Sequence, residues 1–254
     1  MIKFEPVHVL LSIGSFKIYT WGFFFVISFL VSFFLARRAV KGKLEENHFL
    51  NLALLILVGI LAGTRLLYVL LHFSYYSNEP MKIFAFSEGG SSSWGGFLAI
   101  LFVWLYARKH KLNFPFLLDL LAPYVALGLA LGRIGCFLNW CCYGIQTNVP
   151  WAIKTSGDVP RHPTQLYLFV ANLTIFFILL GLQKKKEQNK KFFDGSIFLL
   201  FLLYYSVARF FIDFLRAYEA SHYFAGLVIS QWFCLAFIVF SIALLLKRKR
   251  FLKT

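Results

Sequence analysis

"FLLDLLAPYVALGLALGRIGCFLNWCCYG", residues 116–144, joins a long apolar run to a charged and cysteine-rich end. A membrane-spanning helix needs about 20 mainly apolar residues to cross about 30 Å of hydrocarbon. The run from Phe116 to Arg133 meets that requirement, so the sequence predicts a transmembrane helix there. An arginine is costly in hydrocarbon, and this one precedes an asparagine and three cysteines. The pattern therefore indicates a polar site at the end of this helix.

The composition of the whole chain agrees with a membrane protein. Hydrophobic residues make up 59% of the 254 residues, and the mean hydropathy is +0.71. Soluble domains are usually about 45–50% apolar, because a larger share would leave too much apolar surface in contact with water. No change of composition marks a second domain, so the sequence predicts a single integral membrane domain over residues 1–254.

Seven apolar segments are long enough to be considered as membrane spans. The predicted spans are Phe16–Ala36, Phe49–His72, Gly90–Ala107, Phe116–Arg133, Pro163–Leu182, Gly195–Leu215 and Ala225–Leu246. The third is the shortest and opens with glycines and serines, so a broken or re-entrant helix is an alternative for it. Arg37 and Arg38 follow the first span as a stop signal, which is not the pattern of a cleaved signal peptide.

The distribution of positive charge predicts the orientation of these spans. The net charge is +15, and the basic residues gather after the odd-numbered spans. The clusters are Arg37, Arg38, Lys41 and Lys43; Arg108, Lys109 and Lys111; Lys184, Lys185, Lys186, Lys190 and Lys191; and Lys247, Arg248, Lys249, Arg250 and Lys253. Cytoplasmic connections carry such an excess of Lys and Arg. The charge is therefore interpreted as a topology signal beside membrane lipid, and no nucleic-acid partner is expected.

Together these patterns predict an all-α integral membrane protein of seven transmembrane helices. Its N-terminus would be outside and its C-terminus cytoplasmic. The longest outward segment, Ile134–His162, would form a small head between spans four and five.

Four arginines lie inside or at the ends of the predicted spans: Arg65, Arg133, Arg209 and Arg216. The predicted topology brings all four to the level of the outer leaflet. The spacing of Arg209, Asp213 and Arg216 would put them on one helix face, where Asp213 pairs with either arginine and leaves the other guanidinium exposed to a ligand. Because the planar fork of arginine matches phosphate oxygens, the sequence predicts a cationic cavity for a phosphate group.

Six segments, in order, resemble motifs of the prolipoprotein diacylglyceryl transferase family. They are "IYTWGFFF", "GTRLLYVL", "EGGSSSWGG", "LGRIGCFLNWCCYG", "RHPTQLY" and "RFFIDFLR" followed by Gln231. The resemblance implies a bacterial inner-membrane enzyme that moves the diacylglyceryl group of phosphatidylglycerol to the lipobox cysteine of a prolipoprotein. The product is a thioether, and glycerol phosphate leaves. Neither a cofactor nor a metal ion is expected, and the partners are the two substrates and membrane lipids.

The reaction suggests roles for the residues in these motifs. Arg133 and Arg216 are expected to be catalytic, because fixed donors can stabilise the charge that develops on the departing phosphate. The positive field would also lower the pKa of the incoming thiol, which is about 8.5 when unperturbed. His162 is either a catalytic base or a structural residue at the entrance of the fifth span.

The remaining candidates are expected to bind substrate. Asn139 and Tyr143 are candidates for the glycerol hydroxyls. Arg65 either orients the lipid or pairs with Asp119. The other predicted substrate-binding residues are Arg209, Trp94, Trp21 and Gln165.

The chain also departs from the motifs it resembles. Trp94 stands where members carry histidine or tyrosine, and an indole cannot accept a proton. Cys136 and Cys141 replace an asparagine and a glutamate of the signature. We therefore expect no obligatory side-chain base and a substrate thiol ionised by the arginines.

Three interpretations apply to the cysteines that follow Arg133. Cys136, Cys141 and Cys142 are small polar fillers, form a disulfide, or take part in the chemistry. The spacing is not C-x-x-C and no neighbouring histidine completes a ligand set, which argues against zinc. Cys234 is predicted to lie in the core of the last span.

Two other classes of function fit buried arginines in a membrane protein. One is a transporter or channel for an anionic solute, although the sequence has no internal repeat of the kind many transporters show. The other is a catalytically inactive lipid-binding homologue of the same family.

Overall fold

The computed structural model describes residues 2–14, 16–84, 96–188 and 192–251. Within them the helices are α1 (Thr20–Val40), α2 (Glu46–Leu71), α3 (Phe73–Asn78), α4 (Phe97–Lys109), α5 (Phe114–Leu138), α6 (Thr164–Gln188), α7 (Ser196–Asp213) and α8 (Ile229–Phe251). Short 3₁₀ turns cover Pro80–Phe84 and Ala220–His222. The predicted all-α class is confirmed for the membrane part of the chain.

Six of the described helices, namely α1, α2, α5, α6, α7 and α8, are long and apolar enough to cross a membrane. The protein is therefore a helical membrane protein. The third predicted span, Gly90–Ala107, falls partly on residues 85–95, which lie outside the described residues. Its described part is α4, whose 13 residues would rise only about 20 Å.

Several predicted span boundaries are wrong by a few residues. The first span begins at Thr20, because residues 16–19 form a strand. The fourth continues to Leu138, so Arg133 lies within the helix. The fifth continues to Gln188 and includes Lys184–Lys186, which were expected in a loop. Lys and Glu are good helix formers, so they continue α6 beyond its apolar part and hydropathy alone does not mark its end.

Among the described residues, six short strands form three two-stranded sheets that hydropathy did not predict. They are β1 (Ile2–Lys3), β2 (Val9–Ile13), β3 (Phe16–Tyr19), β4 (Ile153–Lys154), β5 (Tyr223–Phe224) and β6 (Leu227–Val228). The pairs β2–β3 and β5–β6 are antiparallel hairpins. The pair β1–β4 is parallel, with Ile2 opposite Ile153, and it holds the N-terminal segment against the predicted head.

The described chain divides into two compact units, one of residues 37–117 and the other of residues 1–36 with 118–254. In the first unit α2 packs against α4. A Cβ at Gly59 would lie 2.6 Å from the Ala99 Cα atom, so only glycine permits this approach. The core of this unit contains Leu52, Val103 and Ala107.

In the second unit α7 packs against both α6 and α8. Helix α1 crosses α5 closely: a Cβ at Gly135 would lie 2.7 Å from the Phe24 Cβ atom. A Cβ at Gly128 would lie 3.2 Å from the Ser32 hydroxyl oxygen. Small residues at these crossings let membrane helices approach each other.

Asp119, near the start of α5, is part of a charge network in this second unit. Its carboxylate accepts hydrogen bonds from Lys186 Nζ at 2.6 Å and from the backbone N–H groups of Gly195 and Phe198, each at 2.8 Å. Lys186 also binds Asp194 at 2.9 Å. The predicted alternative of an Arg65–Asp119 pair is therefore wrong: Asp119 caps α7 and neutralises a lysine.

Candidate active site

Three chain segments meet at Gly144, at the end of the signature motif. Its N–H donates to the His162 carbonyl at 2.8 Å, and the next N–H, of Ile145, donates to the Leu215 carbonyl at 2.8 Å. A Cβ at Gly144 would lie 2.5 Å from both the His162 Cβ atom and the Leu215 oxygen. Because only glycine fits between these segments, this residue joins the three motifs that were separate in the sequence.

The cysteine-rich loop after α5 has a tightly constrained backbone. Trp140 and Cys142 have φ values of 49° and 64°, a left-handed conformation that is uncommon for residues other than glycine. The Cys141 N–H donates to the Cys136 carbonyl at 3.0 Å, which turns the chain back over the last turn of the helix. The side chains of all three cysteines are thereby brought to the same place.

Two side chains of the "RHPTQ" segment hold this loop from the other side. The Thr164 hydroxyl donates to the Cys142 carbonyl at 2.7 Å, and Gln165 Nε2 donates to the Cys141 carbonyl at 2.7 Å. Both side chains are fully buried. Gln165 was predicted to bind substrate, and the contact that the structure assigns to it is with the loop.

The sulfur atoms of Cys136, Cys141 and Cys142 all lie within 4.8 Å of one another. All four cysteines of the chain are free thiols, so the predicted disulfide alternative is not formed. Cys234 is buried in α8, as expected. The three thiols beside Arg133 therefore form one cluster at the end of α5.

Arg133 and Arg216 lie beside these thiols. The pKa of Cys142 is lowered, first because the Cys136 and Cys141 thiols donate to its sulfur, and then because the Arg216 and Arg133 guanidinium groups are close. Among the described residues neither guanidinium forms an ion pair with a carboxylate. Arg216 lies over the Tyr218 ring at 4.8 Å, and its buried Nε atom has no hydrogen-bond partner within the described chain.

Arg209 is held in a closed network. Its guanidinium lies 3.0 Å from the buried carboxylate of Asp213, and it donates to the Tyr218 hydroxyl at 3.0 Å. Asp213 also accepts from Tyr218 at 2.9 Å and from Ser230 at 2.6 Å. Burial raises the pKa of Tyr218, which keeps its hydroxyl proton for this network. The predicted pairing of Asp213 with one arginine is confirmed, and Arg209 is that arginine.

Arg216 does not share a helix face with Arg209 and Asp213, contrary to the prediction. Helix α7 ends at Asp213, and the next three N–H groups bond three residues back in a tighter turn. Arg216 then forms a β-bridge with Gly144. This bridge carries its side chain away from the helix and toward the signature loop.

Asn139 and Tyr143 flank the cysteines and make contacts of their own. Asn139 Oδ1 lies 3.1 Å from His8 Nδ1, so the N-terminal segment reaches the end of α5. The Tyr143 ring lies 4.7 Å from the guanidinium of Arg161, which is paired with Asp158 at 2.7 Å. Hydrogen bonding between these two lowers the pKa of Asp158 and raises that of Arg161.

His162 lies at the entrance of α6 with its Nδ1 atom 3.1 Å from the Tyr167 hydroxyl. That hydroxyl accepts a hydrogen bond from Trp151 Nε1 at 2.7 Å. Desolvation lowers the pKa of His162, so the imidazole is neutral at pH 7. This small polar chain fixes the ring beside the Gly144 junction.

Sequence reasoning missed His8, Arg161, Tyr218 and Thr164 as parts of this region. His8 belongs to a segment whose pairing is long-range, so no local pattern indicates it, whereas Arg161 opens the "RHPTQLY" motif and could have been considered with it. Thr164 adjoins the predicted Gln165 in the same motif, and that proximity was the available signal.

The other predicted site residues are less closely tied to this region. Arg65 belongs to the first unit, where it is buried and donates to the Ile83 and Lys82 carbonyls at 2.8 and 2.5 Å. Trp21 is 44% exposed at the start of α1, with its ring stacked on Phe25. Trp94 lies outside the described residues.

The second unit thus presents cationic and thiol groups together at the end of a membrane helix. Phosphate is a natural ligand for guanidinium groups that have no carboxylate partner, and a thiolate is stabilised by the same charge. The arrangement defines a multi-pass membrane protein whose site suits an anionic headgroup.

The family model for prolipoprotein diacylglyceryl transferase matches residues 8–247. The chain belongs to that family, and the resemblance seen in its motifs is confirmed. A phosphatidylglycerol–prolipoprotein diacylglyceryl transferase from Geobacter sulfurreducens is 35% identical over 219 residues, covering 84% of this chain and 83% of the relative. Proteins of the same name from Idiomarina loihiensis and Finegoldia magna are 34% and 32% identical over 95% of this chain, and the alignments cover 92% and 96% of those relatives.

Proposed function

We propose that this chain transfers the diacylglyceryl group of phosphatidylglycerol to the lipobox cysteine of a prolipoprotein. The thiolate attacks the terminal glyceryl carbon, the carbon–oxygen bond to phosphate breaks, and glycerol phosphate leaves. Membership of the family and relatives of this name at 32–35% identity support the reaction class.

Among the residues of this chain, Arg133 and Arg216 give the main support for the proposal. A buried N–H group without an acceptor is costly, so such a group favours a ligand that supplies one. Arg216 is half-buried, and its buried Nε atom has no hydrogen-bond partner among the described residues. A phosphodiester supplies the missing acceptors, and donors fixed before the reaction stabilise charge on the departing phosphate without reorganising.

The remaining site residues take supporting roles in the proposal. Asn139 and Tyr143, beside the cysteine loop, bind the glycerol hydroxyls. His162 is neutral and in reach of the junction, and it assists proton transfer without being obligatory. Arg209 and Gln165 act by holding the walls of the site, since their donors already have protein partners. Arg65 donates to backbone carbonyls within its own unit and has a structural role there.

Trp21 and Trp94 are proposed to contact the lipid. Trp21 is exposed at the start of α1, and aromatic residues favour the level of lipid headgroups. For Trp94, which lies outside the described residues, this proposal is based only on the sequence.

The proposed setting is the bacterial cytoplasmic membrane, with residues 1–254 forming one membrane-embedded transferase domain. Seven spans, an outer N-terminus and a cytoplasmic C-terminus follow from the alternating basic clusters. Under this topology the Arg133–Arg216 pair faces the outer leaflet, where a secreted prolipoprotein meets phosphatidylglycerol. Reporter fusions that put Asp158 in the cytoplasm would contradict this orientation.

A direct assay tests the reaction. Purified full-length protein in phosphatidylglycerol vesicles is incubated with a lipobox peptide, and the thioether is detected by mass spectrometry. A peptide with serine in place of the cysteine is the control. Transport of an anionic solute across the vesicles without thioether would replace the proposal with a transporter. Phosphatidylglycerol binding without either activity would indicate an inactive lipid-binding homologue.

A further inference from the structure

We propose that Cys136, Cys141 and Cys142 bind a thiophilic divalent cation of the zinc class, with an open fourth position that takes the substrate thiol. The binding site stands on the geometry of the chain alone. Its catalytic use rests on the proposed transferase function.

The mutual placement of the sulfurs carries the first part. All three lie within 4.8 Å of one another. Zinc–sulfur bonds of about 2.3 Å in a tetrahedral site put the sulfurs about 3.8 Å apart, so small side-chain adjustments suffice. The sequence argument against zinc required a C-x-x-C pair or a histidine. The bend after α5 brings three sulfurs together without that spacing, because it folds Cys141 and Cys142 back over Cys136.

Hydrogen bonds within the protein hold the loop in this form. The Cys141 N–H bonds the Cys136 carbonyl, Cys142 keeps a φ of 64°, and Thr164 and Gln165 fix the two neighbouring carbonyls. Buried hydrogen-bonding side chains behind a ligand set are the outer contacts that orient metal ligands. A chain that needed only small fillers would not require a strained residue and two buried donors to position them.

The surrounding charge suits such a centre. Three thiolates and a divalent cation carry a net charge of −1, and a bound substrate thiolate makes it −2. Arg133 and Arg216 lie beside the sulfurs and form no ion pair with a carboxylate among the described residues. Their two positive charges offset the −1 of the metal with its three thiolates and the −1 of the phosphodiester proposed above, so the centre and the lipid headgroup are compatible in one site.

Three protein ligands and one exchangeable position are typical of catalytic zinc. A thiol that coordinates the ion loses its proton, which passes to solvent. The resulting thiolate forms the sulfur–carbon bond with its electron pair, and the carbon–oxygen pair leaves with glycerol phosphate. The oxidation state of the metal does not change. The centre would replace the base that Trp94 cannot provide.

Cobalt(II) binding tests the site without relying on activity. Full-length protein, reduced and stripped with a chelator, is titrated with Co²⁺ in detergent. We expect one equivalent to give a thiolate-to-cobalt charge-transfer band and the intense visible bands of tetrahedral coordination, and Zn²⁺ to displace it. Cys136→Ser, Cys141→Ser and Cys142→Ser should each lose this spectrum, whereas the control Cys234→Ser should keep it. Thr164→Val should weaken Co²⁺ binding about 10- to 100-fold, as expected for an outer contact.

Three results would overturn the site. The first is a spectrum that is lost only with Cys234→Ser, and the second is no Co²⁺ binding by the reduced protein. The third is a disulfide among the three cysteines in protein isolated without oxidant. The catalytic use has its own test. Adding a lipobox peptide should shift the cobalt bands, and the serine peptide should not. Thioether formation by chelator-treated, metal-free protein at the full rate would refute the catalytic use and leave the transferase function standing. Cobalt binding by the three thiols with no thioether formed would refute the transferase function and leave the metal site standing.

Discussion

Two arginines that are seven residues apart, Arg209 and Arg216, have opposite surroundings. Arg209 is 13% exposed, and it is bound to the Asp213 carboxylate and the Tyr218 hydroxyl. Arg216 stacks on Tyr218, forms no ion pair among the described residues and keeps a buried Nε without a partner there. The closed network satisfies its charge within the protein, so it maintains structure. The open one, which includes Arg133, is left for a ligand to satisfy.

The largest expected effect comes from opening the closed network. Asp213→Ala leaves the buried Arg209 without its carboxylate, and breaking a buried pair in this way costs about 3–5 kcal/mol. We expect a loss of that size in the free energy of unfolding, measured by denaturant titration in detergent. Asp194→Ala, at a carboxylate that is 42% exposed, is the matched control and should cost much less. Equal losses for the two variants would contradict the distinction.

The next effect concerns the open pair. Arg133→Lys keeps the charge and loses the planar fork, so one fixed donor to the departing phosphate is removed. Such a loss costs about 2.7–4 kcal/mol, or about 100- to 1000-fold in kcat. The measurement is thioether formation in phosphatidylglycerol vesicles, with thermal stability unchanged. A folded lysine variant that works near the wild-type rate would mean that Arg133 is structural.

A smaller effect is expected at the cysteine loop beside the open pair. Gln165→Leu removes the donor to the Cys141 carbonyl and leaves that carbonyl unsatisfied, which costs about 1–3 kcal/mol. We expect lower thermal stability and reduced turnover together. Exposed Gln146→Leu is the control. Normal stability with reduced turnover would instead support the direct substrate contact predicted from the sequence.

The smallest effect is expected at His162. Burial lowers its pKa, so the ring loses its proton at lower pH than a free imidazole does, and its titration does not account for a rise in rate above neutral pH. Turnover should therefore rise with the ionisation of the substrate thiol and reach a plateau. His162→Ala should keep that profile with a modest decrease in rate, measured between pH 6 and 9. Complete loss of turnover by a folded, lipid-binding variant would establish a side-chain base.

The sequence predicted much of the membrane architecture because hydropathy and helix length are local properties. Six of the seven predicted spans overlap helices that can cross a membrane, and the motif resemblance predicted the family. The pairing of Asp213 with an arginine was predicted because a helical spacing of four residues is also local.

Predictions that required distant residues to meet were less successful. The proposed Arg65–Asp119 pair failed because Asp119 and Lys186, which are 67 residues apart in sequence, are brought together by α5 and α6. The N-terminal contact of His8 with Asn139 had no local signal, since the residues are separated by 131 positions.

The sequence by itself thus determined the membrane class, most helices, the family and the presence of costly arginines, because each depends on composition or on short spacings. Only the tertiary structure decided which arginine is neutralised and where the cysteine sulfurs meet. Helix α7 stops at Asp213, and the chain beyond it pairs with the signature loop, where the Ile145 N–H donates to the Leu215 carbonyl and the Ala217 N–H donates to the Tyr143 carbonyl. The Cys136–Cys142 turn is held because buried side chains of α6 donate to its carbonyls. These outcomes depend on hydrogen bonds between segments far apart in the chain, whose partners no local pattern specifies.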